Sequence, residues 1–356
     1  MEETVHNKFM QRCLDLALNA EGMTYPNPMV GSVIVHNGMI IGEGYHIRAG
    51  EPHAEVNAIN SVKDKSLLRA STMYVSLEPC SHHGKTPPCA DLIVSCGIPG
   101  VVVGTSDTSE KVSGNGIRLL EQAGCSVVVG ILEDKCRWIN RRFFTWHEKK
   151  RPYVILKWAQ SSDGFIDTVR DSNTPLEPNW ISGKPERVLV HKWRAAEQAI
   201  LAGGETIRKD NPGLNVRDWT GKDPLKLILS RSGDVDRYLD FNRGDENVVV
   251  FTENDSPVDW PALKVLLKDK YPACRQILEY LYREGIQSLF IEGGARVLNH
   301  FIDNGLWDEA RVITGIAEFK SGILAPKLKG IPKSFESFET TRLQVSYNED
   351  MPDLIS

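Results

Sequence analysis
The sequence predicts an α/β protein made of two successive domains, each a sheet covered by helices. Its 356 residues exceed what one core of ordinary size holds, so about two domains are expected. Short β-rich runs alternate with stretches of helical periodicity along the chain, which implies sheets that are at least partly parallel. An aromatic and basic segment, Cys136 to Arg151, ends at Pro152, and this break places the boundary between domains 1–150 and 151–356.

In the first domain, Phe9, Cys13, Leu14, Leu16, Ala17 and Leu18 recur at helical spacing and predict a helix over Lys8 to Ala20. Gly31 to Val35 and Met39 to Gly44 read as a hairpin joined through His36-Asn37-Gly38, because Asn and Gly both tolerate the positive φ of a tight turn. A helix opens at Pro52-His53-Ala54-Glu55, followed by a strand Thr72 to Leu77 and a helix Cys89 to Cys96 closed by Gly97. Strand Val101 to Val103, helix Gly116 to Ala123 and strand Ser126 to Val129 complete this half.

Beyond Pro152, strands are predicted at Tyr153 to Ala159, Ala199 to Ala202, Leu225 to Leu229, Val248 to Thr252, Ser288 to Ile291, Ala310 to Thr314 and Leu343 to Tyr347. Helices are predicted at Pro185 to Ala195, Gln276 to Glu284 and Ala295 to Asn304.

Hydrophobic residues make up 41% and charged residues 25%, the composition of a soluble globular enzyme rather than a disordered or fibrous chain. The polar start from Met1 to Lys8 lacks a hydrophobic signal core, and no stretch approaches the roughly 20 apolar residues that span a bilayer. A cytoplasmic protein without a membrane partner is expected. A net charge of -5 gives no general field for nucleic acid and favours a small-molecule substrate. Seven cysteines, an odd number scattered along the chain, do not form a disulfide framework. Cys13, Cys96, Cys125, Cys136 and Cys274 are expected to be buried as small hydrophobes.

The chemistry-bearing residues cluster in the first domain. His53 and Glu55 open one helix, and Cys80 and Cys89 flank the start of another. Zinc prefers thiolate and imidazole donors, and a catalytic site uses three of them so that water can take the fourth position. Cys89 follows Pro87-Pro88 at a helix start, where the helix dipole favours the thiolate. Glu55, two residues after His53, is placed to move protons without ligating the metal. The pattern H-x-E…P-C-x-x-C marks zinc deaminases of bases, and this chain matches it except that eight residues separate the cysteines. A closed structural zinc site completed by His82, His83 or a fourth cysteine is the alternative, but it would leave Glu55 without a purpose.

The long insert Ser81-His82-His83-Gly84-Lys85-Thr86-Pro87-Pro88 resembles the deaminase domain of the bifunctional riboflavin-biosynthesis deaminase/reductase family. Pro26-Asn27-Pro28, Gly42-Glu43-Gly44-Tyr45-His46 and Ala49-Gly50-Glu51-Pro52 match it as well. The resemblance implies a cytidine-deaminase-like α/β/α domain with one Zn2+, followed by a dihydrofolate-reductase-like α/β domain that uses NADPH. It also implies that Asn27, His46, His82 and Lys85 bind the pyrimidine and its ribose phosphate. Lys85 suits a phosphate as a point charge.

In the second domain no G-x-G-x-x-G follows the first strand. Glu292-Gly293-Gly294 and Gly203-Gly204 end strands and open helices, either as phosphate-facing turns or as ordinary connections. The runs Leu156-Lys157, Ser162-Asp163-Gly164, Asn179-Trp180-Ile181-Ser182, Arg194-Ala195, Thr206 through Asp210 to Arg217, and Glu292-Gly293-Gly294 resemble the reductase half of the same family. That resemblance implies cofactor contacts from Gln160, Trp180, Thr206, Asp210, Gly294, Ala295, Arg296, Val297 and Leu298. It implies substrate contacts from Arg194, Leu214, Arg217 and Glu292, the two arginines being suited to its phosphate. Lys157 and Asp210 are the candidates for proton handling.

The expected reactions are hydrolytic deamination of 2,5-diamino-6-(5-phosphoribosylamino)pyrimidin-4(3H)-one to 5-amino-6-(5-phosphoribosylamino)uracil, then NADPH-dependent reduction of ribosyl to ribityl. A homo-oligomer, dimer or tetramer, is expected. The alternatives are a deaminase with a non-catalytic second domain and a nucleic-acid editing deaminase. The latter rests on Arg137, Arg141, Arg142, Lys149, Lys150 and Arg151, which otherwise read as the solvated face of an interdomain helix.

Overall fold
The computed structural model describes residues 2–81, 87–108, 114–170, 179–233, 235, 247–255, 262–328 and 331–348. It divides into two compact units, Met1–Lys150 and Arg151–Ser356. No helix among the described residues is long and apolar enough to cross a membrane.

Unit 1 runs α1 (Glu2–Leu18), β1 (Gly31–His36), β2 (Met39–Tyr45), α2 (Ala54–Ser61), a 3-10 helix (Lys65–Ala70), β3 (Thr72–Leu77), α3 (Cys89–Ser95), β4 (Gly100–Thr105), α4 (Asn115–Gln122), β5 (Ser126–Val129), α5 (Glu133–Ile139) and α6 (Arg141–Lys149). The sheet order is β2-β1-β3-β4-β5, antiparallel from β2 to β3 and parallel from β3 to β5. Strand alternation splits the core into two layers. Val33, Val35 and Tyr74 face α1 and α5 through Phe9, Met10, Cys13 and Cys136, whereas Ile34, Met73 and Val75 face Ala58, Ala90, Ile93 and Leu120 on the helices of the other side. The hairpin turn is as the sequence requires: Asn37 and Gly38 both have positive φ, and His36 pairs with Met39.

Two expectations fail in this unit. The aromatic and basic segment is two helices rather than one, because Asn140 turns inward, donating to the Met29 carbonyl and accepting from the Met29 N–H, both at 2.8 Å. Its basic side is not simply solvated: Arg142 is buried, and Arg137 and Arg141 lie over the rings of Phe144 and Trp138. Cys96 and Cys125 are half-buried at the rim of the core, while Cys13, Cys136 and Cys274 are buried.

Unit 2 comprises β6 (Tyr153–Gln160), β7 (Phe165–Asp167), α7 (Lys184–Ala196), β8 (Ala199–Gly203), α8 (Gly204–Asp210), β9 (Leu225–Leu229), β10 (Val248–Thr252), β11 (Leu263–Leu266), α9 (Ala273–Arg283), β12 (Ser288–Glu292), α10 (Ala295–Asp303), β13 (Glu309–Gly315), β14 (Ile323–Leu324), β15 (Ile331–Ser337) and β16 (Thr341–Tyr347). Nine strands form one sheet in the order β11-β10-β9-β8-β12-β6-β13-β16-β15, with β7 and β14 as a separate ribbon. The strands from β11 to β13 are parallel, and β16 and β15 add antiparallel pairings at the edge. Central β8 is buried along its whole length, as a strand covered on both faces must be. Val154, Leu156 and Trp158 pack towards α9 and α10, whereas Tyr153 and Ile155 pack on the side of Ile207 in α8.

Candidate active sites
The first site forms where the loop after β3 meets the N-termini of α2 and α3. Its position depends on close packing: a Cβ on Gly42 would come within 2.6 Å of the Ala58 carbonyl oxygen, and one on Gly44 within 2.5 Å of the Ala58 nitrogen. Glycine at both positions lets α2 lie directly on β2. Asn57 fixes the register by donating to the Tyr45 carbonyl at 2.9 Å.

The result brings His53, Cys80 and Cys89 together, with Nδ1 and both Sγ atoms within 4.8 Å of one another. His53 Nδ1 lies 3.6 Å from Cys80 Sγ and 3.4 Å from Cys89 Sγ. Cys80 Sγ also accepts from the Cys89 backbone N–H at 3.3 Å. The hydrogen bond to Cys89 leads in pulling Cys80 down to about 4, and the Cys80 hydrogen bond leads in pushing Cys89 far up. Two thiols this close cannot both ionise without a cation between them. The donor set therefore fits zinc, which deprotonates its thiol ligands.

Glu55, only 3% exposed in the first turn of α2, lies beside Cys89. Burial pushes its carboxyl up to about 6, with His53 opposing; zinc beside it would add its own charge and pull the value down. His46 stands edge-on to His53, with ring centres 5.3 Å apart. Its Nε2 lies 3.0 Å from Asn27 Nδ2 and its Nδ1 3.2 Å from the Pro52 carbonyl. Burial lowers its pKa, so the ring is neutral, donates from Nδ1 to Pro52 and accepts from Asn27.

The second site is a cavity of about 1190 Å³ in unit 2. It opens at the carboxyl ends of the parallel strands, where ligands of such sheets bind. Glu292, at the end of β12, organises one wall. Its Oε1 accepts from Lys157 Nζ at 2.9 Å, and its Oε2 accepts from Arg194 Nε at 2.8 Å and pairs with Nη2 at 2.5 Å. Burial would raise this carboxyl, but Arg194 and Lys157 outweigh it and hold it at about 2. Arg194 Nη1 is also engaged, donating to the Asn215 carbonyl at 2.9 Å. Arg217 is exposed, with one 3.0 Å hydrogen bond to Asn215 Oδ1, and its backbone N–H donates to His191 Nδ1 at 3.0 Å.

Adjoining Glu292, two strand-to-helix turns pack together. A Cβ on Gly293 would lie 3.5 Å from the Gly203 nitrogen, and Gly294 donates its N–H to Thr206 Oγ1 at 3.0 Å. The N-termini of α8 and α10 thus share the cavity, an arrangement that suits the phosphates of a dinucleotide. Asp210 closes the end of α8, raised chiefly by burial and paired with Arg170 at 2.9 Å.

Two family descriptions match the chain: "cytidine and deoxycytidylate deaminase zinc-binding region" over residues 3–105 and "RibD C-terminal domain" over 152–315. The riboflavin biosynthesis protein RibD of Aquifex aeolicus is 37% identical over 336 residues, 93% of this chain and 89% of that protein. The chain belongs to the RibD family.

RibD of Escherichia coli is 34% identical over 343 residues, 90% of this chain and 88% of that one. Among solved structures, a diaminohydroxyphosphoribosylaminopyrimidine deaminase/5-amino-6-(5-phosphoribosylamino)uracil reductase from Thermotoga maritima superposes with a TM-score of 0.86 at 36% identity, covering 98% of this chain and 99% of that chain. RibD of Acinetobacter baumannii gives 0.86 at 30% identity, covering 97% and 99%. The cytidine-deaminase-like domain followed by a reductase domain is therefore the architecture, and the chain is a bifunctional RibD deaminase and reductase of riboflavin biosynthesis.

In this RibD chain Asn27, His46, His53, Glu55, Cys80 and Cys89 converge, while His82 and Lys85 lie outside the described residues. Lys157, Trp180, Arg194, Thr206, Asp210, Leu214, Arg217, Glu292 and Gly294 to Val297 line the cavity of unit 2. Gln160 and Leu298 do not: Gln160 accepts from Trp158 Nε1 at 2.8 Å, and Leu298 is fully buried in the core. Sequence reasoning gave no part to Asp167 and Arg170, which also line the cavity and pair at 2.9 Å, or to His191. Arg170 and His191 also meet partners distant in sequence, Asp210 and the Arg217 N–H, which no local spacing signals; Asp167 and Arg170 are only three residues apart, and that spacing was the available signal.

Proposed function
We propose that unit 1 deaminates 2,5-diamino-6-(5-phosphoribosylamino)pyrimidin-4(3H)-one to 5-amino-6-(5-phosphoribosylamino)uracil, and that unit 2 reduces the ribosyl chain of that product to ribityl with NADPH. The observation that carries the reading is the convergence of His53, Cys80 and Cys89 with Glu55 buried at their side.

His53, Cys80 and Cys89 would hold the metal. Zinc, when bound, supplies a Lewis acid that lowers the pKa of water and neutralises developing charge. Glu55 takes a proton from the attacking water and returns one to the departing amino group; the ring carbon exchanges nitrogen for oxygen and ammonia leaves. The neutral His46 and its partner Asn27 form a polar wall that orients the pyrimidine, with His82 and Lys85 assigned to the substrate and its phosphate.

In unit 2 the paired turns at Gly203 and Gly293 and the residues Trp180, Thr206, Asp210 and Gly294 to Val297 would hold NADPH, which supplies the hydride. Arg217, whose guanidinium is exposed, answers the substrate phosphate better than Arg194, which Glu292 and Asn215 already engage. Glu292 and the Leu214 backbone complete the substrate wall, and Lys157 and Asp210 handle the proton that accompanies the hydride. The reading includes a cytoplasmic homo-oligomer without a nucleic-acid partner; sedimentation tests the first point, and tight RNA binding that falls steeply with salt would overturn the second.

The test is the purified chain with the diaminopyrimidine nucleotide, following ammonia and then NADPH oxidation. Ammonia should appear first and NADPH oxidation should follow. Ammonia without NADPH oxidation would reject the reductase half, and absence of ammonia from the zinc-loaded chain would reject the deaminase half.

A further inference from the structure
Cys80 sits in a turn whose shape is set from the side away from the other ligands. We infer that Glu78 is the positioning residue that sets it, and so tunes how the deaminase site holds its metal. Glu78 lies just beyond β3, two residues before Cys80, and is 4% exposed. Its Oε2 accepts from the backbone N–H groups of Asp107 and Gly114, each at 3.1 Å, and its Oε1 accepts from those of Gly116 at 2.9 Å and Ile117 at 3.4 Å. Its own N–H donates to the Thr105 carbonyl at 3.0 Å.

These bonds answer a need of α4. That helix has no acidic residue in its first turn and no side-chain cap of its own, so its first N–H groups would go unsatisfied. Glu78 supplies both the acceptors and the negative charge that a helix N-terminus favours. The contact is tight on the adjoining peptide too, since a Cβ on Gly116 would fall 2.0 Å from the Pro79 carbonyl oxygen. The Pro79–Cys80 peptide is therefore pressed against α4, while α3 holds the other side through the Cys89 and Ala90 N–H groups donating to Cys80 Sγ and Cys80 O. Cys80 is fixed between two helices, and Glu78 is the carboxylate that ties that turn to α4.

The inference rests on the zinc-deaminase reading of unit 1, and the test separates the two. The full chain is stripped of metal and titrated with Co2+ against a competing chelator, recording the visible bands that report thiolate coordination. Glu78→Gln keeps the size but turns one acceptor into a donor facing two N–H groups. It should weaken Co2+ binding about tenfold or more and shift the bands, the range expected for loss of a group that orients a ligand. The buried amide facing two N–H groups should lower the unfolding temperature of the metal-free chain, with the chain still folded at the temperature of the titration; its NADPH oxidation on the deaminated product should stay close to wild type. Gly116→Ala, which displaces the same turn with the carboxylate intact, should shift the bands in the same way. Wild-type affinity and spectrum in both variants would overturn the inference, as would a loss of binding seen only where the metal-free chain is already unfolded at the temperature of the titration. Absence of thiolate bands in the wild-type chain would instead reject the zinc reading itself.

Discussion
The two sites solve different problems with different amounts of chain. The site of unit 1 draws its metal donors from two segments, residues 53 and 80–89, and its geometry follows from two helix starts and one turn. The cavity of unit 2 collects residues from Lys157 to Ile323, and its charged groups already compensate one another. A compact site made of rare residue types has few substitutes. A distributed cavity shares its load, so single changes there should act on binding and stability more than on the chemical step.

The largest break in that comparison is Glu55→Gln. Ammonia release should fall by about 10²–10⁴-fold with zinc content retained, because the proton carrier is lost and the ligands are not. NADPH oxidation on the deaminated product should be unaffected. Removing zinc with a chelator should give the same dissociation of activities, with ammonia release returning on adding the metal.

Next in size is Glu292→Gln, which leaves Lys157 and Arg194 without their shared carboxylate. A cost of about 3–5 kcal/mol to unit 2 is expected, measured by denaturant unfolding, together with a raised KM in the reductase assay. The same residue gives a pH signature. Because folding lowers its pKa from the ordinary 4.5 to about 2, its contribution to stability is complete above pH 4.5 and is lost as pH falls through about 2. Wild-type stability should show that acid-side decline, and the glutamine variant should lack it.

The smallest effect is Trp180→Ala. The ring is 59% exposed on the cavity rim, with Arg187 over it at 4.7 Å. Losing that exposed contact is worth about 0.5–1 kcal/mol, so stability should barely move and a severalfold rise in the KM for NADPH should carry the change. An effect as large as that of Glu292→Gln would mean that the cavity depends on single residues as much as the metal site does.

The same contrast explains what the sequence made legible. His53, Glu55, Cys80 and Cys89 stand out because only a few residue types can ligate zinc and because helix starts bring near neighbours together. Most buried strands were readable from their apolar runs. Glu78 was not, since its partners are backbone N–H groups that any sequence could offer. Arg170 was missed because its pairing with Asp210 is a tertiary contact. The edge strands β11 and β15 escaped notice for another reason: Leu263 and Leu266 are exposed, and Pro332 interrupts β15, so neither carries the pattern of a buried strand. Helix α8 is a short helix of seven residues opening directly at Gly204.

The strand order of unit 2 also bears on how the protein is made. β6 is the first strand of its sheet to be synthesised, yet its neighbours are β12 and β13, and Lys157 meets Glu292 across 135 residues of sequence. Until those strands emerge, the apolar faces of β6 have no permanent neighbours, whereas the sheet of unit 1 is complete once β5 has been made. Pairings this distant close slowly and leave strand edges exposed in the meantime. On the ribosome, unit 1 can therefore be finished while unit 2 is still waiting for its last hundred or so residues, and that interval is when the nascent chain has most need of a chaperone.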